Sequence, residues 1–216
     1  MTSVIQTLRG SAMVLVTTAL IAYQGQTIAQ TVDESKYQAV SKEFTVTTGD
    51  KIEVAELFWF GCGHCFALEP SIKKWQADGI PENATFKKVP AIFSARWEFH
   101  AQAFYTMQAL GVPEEAYDTF FTKIHVDRKP INNLKQLSMY LAAYDKTEEA
   151  VNSAFNSFDV DSKIRAAKKI TKDSGARGVP AIVVDGKYLT NQTLGGSTEG
   201  MFEVVNQLVD KSAAER

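Results

Sequence analysis

Cys62-Gly63-His64-Cys65 holds the only two cysteines of the chain. Two thiols at that spacing can bridge, so the first chemistry to consider is the making and breaking of a disulfide. The thiolate, not the thiol, is the reactive form. An apolar, β-prone run from Ile52 to Phe60 stops at Gly61, directly before the pair, and a helix-compatible stretch from Phe66 to Gln76 follows it. Cys62 is thereby expected at or near a helix N-terminus, where unpaired backbone N–H groups and the helix dipole favour negative charge. The dipole is worth roughly 0.3–1 kcal/mol, up to about 2 when partly buried, so it lowers a thiol by on the order of one pH unit. A larger drop needs N–H hydrogen bonds to the sulfur or a nearby cation. His64 can supply either, and Gly63 lets backbone N–H groups approach closely.

Two other readings of the motif stand beside this one. Cys-x-x-Cys is half of many zinc sites, but the chain has no second pair, and His64, His100 and His125 form no zinc-ligand pair. A purely structural bridge would close a very small loop and stabilise little. The strand-to-helix setting favours redox chemistry over both.

The elements that position the motif are readable along the chain. With 216 residues, 45% of them hydrophobic, it can build one domain with an insertion or two small domains. A net charge of −2 does not point to nucleic acid. Residues 1–29 read as a secretory signal: Arg9 lies in the charged region, Ala12 to Ala22 is apolar, and Thr27-Ile28-Ala29 offers a cleavage site after Ala29, with Ala22 as an alternative. An uncleaved anchor or a disordered tail are the other readings. Export would carry the thiols into an oxidising compartment.

Glu43 to Val46 is expected to form a short edge strand before the turn Thr47-Thr48-Gly49-Asp50. Ile52 to Phe60 is the central strand, with the carboxylate of Glu56 inside it. The helix that follows contains Pro70, which should kink it. Thr85 to Val89 is a second strand, parallel to the first if the helix is a crossover. Residues 95–174 read as five helices, with Phe120, Phe121, Met139, Tyr140 and Phe155 as bundle core and the lysines and Arg165 of the fifth as a solvated face. Ala181 to Val184 and Lys187 to Thr190 form a hairpin around Asp185-Gly186. Ser197 caps a final amphipathic helix. The order is β-β-α-β, five helices, β-β-α.

Four features together resemble the thioredoxin superfamily and, within it, the DsbA-like periplasmic thiol oxidases. They are the strand Val54 to Phe60 running into Cys62-Gly63-His64-Cys65, the helical insert, Gly178-Val179-Pro180-Ala181 followed by Val184-Asp185-Gly186-Lys187-Tyr188, and the secretory leader. The resemblance implies an α/β thioredoxin fold, a mixed central sheet with an inserted helical domain: 38–94 and 175–212 thioredoxin-like, 95–174 the insertion. It implies a cofactor-free, periplasmic monomer that oxidises unfolded or newly exported polypeptides and is re-oxidised by a DsbB-type quinone-linked membrane oxidase. The alternative is a disulfide isomerase or reductase. Cys62 would be the attacking sulfur and Cys65 the buried resolving one. Pro180 matches the family's cis-proline, beside which the Val179 backbone would meet an extended substrate; read alone, it could equally be a trans proline opening a strand. Glu56 matches an acid that moves the proton of the buried thiol, with Lys87 or Lys88 as its partner. The Gly-His between the cysteines departs from the usual Pro-His and matches the disulfide isomerases of the endoplasmic reticulum. His64 still favours a thiolate, so the pair is expected to be oxidising, less extremely so than in Pro-His relatives.

Overall fold

In the computed structural model residues 31–216 are described. The expected signal segment, 1–29, lies outside the described residues. After a single 3-10 turn at Glu34–Lys36 the order is β1 (Gln38–Ala39), β2 (Ile52–Phe58), α1 (Gly63–Gly79) and β3 (Ala84–Pro90). Five helices follow: α2 (Ala95–Ala109), α3 (Glu114–His125), α4 (Leu134–Leu141, extended by a 3-10 turn at Ala142–Tyr144), α5 (Glu148–Phe155) and α6 (Phe158–Ser174). The chain then returns to β4 (Ala181–Val184) and β5 (Tyr188–Thr190), and closes with α7 (Gln192–Gly195) and α8 (Thr198–Ala214). The strands form one mixed sheet in the order β1-β5-β4-β2-β3. Only the β2–β3 pair is parallel, joined through α1; the other pairs are antiparallel. This is the thioredoxin fold with helices inserted between β3 and β4.

All seven residues of β2 are buried, because the strand lies inside the sheet and both its faces are covered. Successive side chains alternate between those faces. Ile52 and Val54 pack with Leu68, Ile72 and Trp75 of α1 and with Val205, Leu208 and Val209 of α8. Ala55 and Leu57 join a second cluster with Phe104, Phe120, Phe121, Leu137 and Leu141 from the inserted helices. The insertion thus shares its core with one face of the sheet.

Several boundaries follow from local chemistry. Ser157 and Ser197 accept hydrogen bonds from the N–H groups of Val160 and Gly200 and open α6 and α8, a contact worth about 1 kcal/mol each. Asp185 and Gly186 both have positive φ, 53° and 66°, as a type I′ hairpin turn requires. A Cβ at Gly186 would come within 2.1 Å of the Phe44 carbonyl oxygen, so only glycine fits there. Helix α1 runs continuously through Pro70.

Two expectations are corrected. Glu43 to Val46 is loop, and the edge strand is Gln38–Ala39, which pairs with Leu189 and Tyr188. The Val40 N–H continues that ladder to the Lys187 carbonyl, so β5 already has its partner; from the expected strand only the Phe44 N–H reaches the hairpin, at Gly186. Met139 is 70% exposed rather than core. On α4 the inward positions are Leu137, Tyr140 and Leu141, three and four residues apart, and Met139 falls on the other side. Phe120, Phe121 and Tyr140 are buried and Phe155 is half-buried, while four of the five cations of α6 pair with acids. Lys163 pairs with Asp159, Arg165 with Asp161, Lys168 with Glu98 and Lys169 with Asp173.

Candidate active site

Strand β2 delivers Trp59 and Phe60 to a tight turn, and α1 begins at Gly63 with Cys62 as its N-cap. The turn is closed by the Cys62 N–H donating to the Trp59 carbonyl at 2.9 Å. Gly61 is forced by packing: a Cβ there would stand 2.3 Å from the Trp59 ring, which is stacked on Trp97 at 4.3 Å. From the other side His125, at the end of α3, donates from Nε2 to the Phe60 carbonyl at 2.8 Å and stacks on Phe66. The inserted helices therefore grip the loop immediately before Cys62.

Both cysteines are unbridged thiols, and their surroundings are opposite. The Cys62 sulfur is half-buried and accepts the Cys65 N–H at 3.2 Å. The hydrogen bond from the Cys65 side chain lowers its pKa most; burial opposes this, and the N–H groups of Cys65 and His64 and the charge of His64 lower it further. The outcome is a thiol lowered from 9.0 to about 6. Among the described residues its S–H donates to the Val179 carbonyl, at 3.4 Å, a bond the thiolate gives up. Cys65 is fully buried, and burial, followed by the hydrogen bond it gives to Cys62, pushes its thiol far up. His64 is exposed at the mouth of an adjoining cavity.

The loop 177–180 closes the site. The Val179–Pro180 peptide bond is cis, and the Val179 carbonyl faces the Cys62 sulfur. Beneath the pair, Glu56 of β2 is fully buried, and neither carboxylate oxygen has a hydrogen-bond partner among the described residues. Burial pushes its carboxyl up to about 8, against the pull of Lys88 and with help from Glu69 and Cys62. It is therefore mostly protonated at neutral pH. The parallel register sets Lys88 directly beside Glu56, with Nζ 3.8 Å from Oε2. Lys88 also donates to both oxygens of Glu69 on α1, at 2.5 Å. Burial works against its ammonium, but Glu56 and Glu69 together hold it above its ordinary value. Lys87 turns to the opposite face and pairs with Glu53, at 2.7 Å.

The choice between the two lysines is thus Lys88. The sequence reading overlooked Glu69 and Glu53. Glu69 was findable, since it sits four residues after Cys65 and seven after Cys62 and so shares their helix face. His100 was weighed only as a zinc ligand. It is buried against Trp59 with Nε2 donating to the Ile131 carbonyl at 3.1 Å, and burial pushes it down to about 4.

The depressed Cys62 thiol makes a stability prediction. Its folded pKa lies below its unfolded one, so reduced protein gains stability that is fully present above about pH 9 and lost as pH falls through about 6. The full gain is about 4 kcal/mol, cut to about 2 by solvent screening at a half-buried sulfur. The oxidised form has no such contribution. Denaturant melts of both forms from pH 5 to 9 are expected to show the gap shifting toward the reduced form as pH rises. A pH-independent gap overturns the depressed thiolate.

A thiol poised for exchange above a buried one, on a strand–turn–helix and against a cis-proline loop, defines a thiol–disulfide oxidoreductase of the thioredoxin fold. Comparison narrows the class. Residues 79–203 match the family model described as DSBA-like thioredoxin domain, and the chain belongs to that family. It is 36% identical over 176 residues to the thiol:disulfide interchange protein DsbA of Azotobacter vinelandii, covering 82% of each chain. It is 33% identical over 179 residues to the protein of the same name from Pseudomonas aeruginosa, covering 83% of this chain and 84% of that one. The crystal structure of Pseudomonas aeruginosa DsbA superposes with a TM-score of 0.77, over 84% of this chain and 95% of that chain. The Xylella fastidiosa DsbA structure, 27% identical, gives 0.76, over 83% and 96%.

Proposed function

We propose that this protein is an exported, periplasmic dithiol oxidase that donates the Cys62–Cys65 disulfide to newly exported polypeptides. A substrate thiolate attacks the Cys62 sulfur. A substrate–Cys62 bond forms as the Cys62–Cys65 bond breaks, and Cys65 leaves with the electron pair. A second substrate thiolate then attacks the substrate's own sulfur in that mixed disulfide and expels Cys62 as a thiolate. The substrate dithiol loses two electrons and the Cys62–Cys65 pair gains them. A DsbB-type quinone-linked membrane oxidase would return the pair to the disulfide.

The observation that carries this reading is the asymmetry of the two sulfurs. Cys62 at about 6 is a good leaving group in the second step, where release of substrate needs one. Cys65, pushed up by burial, is a poor leaving group in the first step and needs a proton as it departs. Glu56, protonated at neutral pH, supplies that proton. Lys88 and Glu69 line an open groove of about 1030 Å³ and link Glu56 to solvent for its recharge. Val179 offers its backbone to an extended substrate, and Pro180 has no N–H to compete. His64 holds the thiolate by its backbone N–H and its charge. We take 38–94 and 175–212 as the thioredoxin-like unit and 95–174 as the insertion, since all the strands fall in the first and α2 to α6 in the second.

The reduction potential tests this reading. Equilibration against glutathione is expected to give a potential above the glutathione couple. Its pH dependence is expected to carry a break. Two protons per two electrons give a slope of about 59 mV per pH unit below the Cys62 pKa, and one proton gives about 30 mV above it. The break belongs near pH 6. A potential clearly below glutathione moves the protein to the reductase side.

A further inference from the structure

We propose that Arg177 makes the groove beside Cys62 a subsite selective for substrate segments that carry an acidic residue next to the reacting cysteine. This inference rests on the oxidase reading and names the class of peptide it favours. The groove has a volume of about 610 Å³ and runs from His64 past the cis-proline loop to the edge strand β1 and the start of α7. Gln38, Ser41, Asn191, Gln192 and Thr193 line it with uncharged polar groups that bond to a peptide whatever its sequence. The only side chains of its lining able to carry charge are His64 and Arg177, and no carboxylate lines it.

Arg177 is exposed and has no carboxylate within 4 Å among the described residues. Asp173, the acid nearest in sequence, is buried and paired with Lys169. The cation is thus solvent-facing and available to pair with a ligand. Its own backbone and that of Gly178 make no backbone hydrogen bond among the described residues. An extended peptide bonded along 177–179 would pass the Cys62 sulfur at Val179 and lay the residues flanking its cysteine under the Arg177 guanidinium. A guanidinium offers a two-pronged donor to a carboxylate and repels a lysine, so discrimination works in both directions. One solvent-exposed pair of this kind is worth a few-fold in rate.

Three synthetic dithiol peptides test this, identical except for Glu, Gln or Lys beside the first cysteine. Each oxidation rate is divided by the same peptide's rate with an uncharged disulfide, 2-hydroxyethyl disulfide, which removes the effect of the neighbour on its thiol without adding a charge preference of its own. The unaltered protein is expected to rank them Glu over Gln over Lys, by about threefold to fivefold per step in kcat/KM. The spread should shrink in 0.5 M salt, collapse in Arg177→Gln and invert in Arg177→Glu. Equal rates on all three, or an unchanged ranking in Arg177→Gln, overturn the subsite and leave the oxidase standing. Failure to oxidise any of them removes the oxidase reading and the subsite with it.

Discussion

Cys62→Ser is expected to lose dithiol oxidation completely, and Cys65→Ser to lose it while accumulating mixed disulfides at Cys62. The chain has no other cysteine, so neither variant can hold the disulfide to be transferred. Their remaining sulfurs differ. In Cys65→Ser the Cys62 sulfur stays at the helix end with backbone N–H donors, and no neighbour is left to resolve an adduct. In Cys62→Ser the Cys65 thiol stays fully buried and pushed up by that burial, so it should be inert until the protein unfolds. The size of the Cys62 effect depends on pH. A thiol at about 6 is roughly ninety times more ionised at pH 7 than one at 9.0, but its thiolate is about twentyfold less nucleophilic. Alkylation at pH 7 should be only about fourfold faster than for a free thiol, and at pH 5 about fortyfold faster. Losing the hydrogen bond from the Cys65 thiol in Cys65→Ser reduces both margins unless the serine hydroxyl replaces it. Mass spectrometry after glutathione disulfide or iodoacetamide measures all of this. Dithiol oxidation surviving in Cys62→Ser would take the reaction away from the Cys62–Cys65 pair and overturn the oxidase reading.

What was legible in the sequence was whatever is local. The position of Cys62 follows from a strand, a glycine and a helix in succession, and the hairpin follows from Asp185-Gly186. The cis Val179–Pro180 bond was legible only through the family pattern, since a trans proline opening β4 fits the residues equally well. Pairings across the sheet were not legible. Whether Lys87 or Lys88 meets Glu56 depends on the register of two parallel strands, and a slip of one residue sends each side chain to the other face. Glu69 was legible in its placement, on the helix face of the two cysteines, but not in its role, because the cation it pairs with lies on another strand. The grip of His125 on Phe60, across 65 residues of sequence, has no local signature at all.

Glu56→Gln is expected to stabilise the protein at neutral pH while slowing disulfide transfer, and the sign follows from the carboxyl being raised. Its folded pKa, about 8, lies above its ordinary 4.5, so the folded state holds a proton that the unfolded state releases. Below about pH 4.5 both states are protonated and the group is neutral to stability. As pH rises from there the unfolded chain ionises, the folded one does not, and stability falls until about pH 8, beyond which the loss is constant. At pH 7 the loss is about 3 kcal/mol, and glutamine, which cannot ionise, recovers up to that amount. Lys88 loses one partner in the variant but keeps Glu69 at 2.5 Å, so its charge is not stranded. The advantage of the variant in urea melts should therefore be close to nil at pH 4.5 and large at pH 7.5. Kinetics should move the other way, because glutamine has no proton to give the departing Cys65. Formation of the mixed disulfide from oxidised enzyme should slow by about tenfold to a hundredfold near pH 7, the usual scale of a lost general acid. Conservative replacement by aspartate tests position against charge: it keeps a titratable group but withdraws it from beneath the cysteines, and should recover less than half of the rate. A purely structural Glu56 would give the stability change with no change in the rate of mixed-disulfide formation.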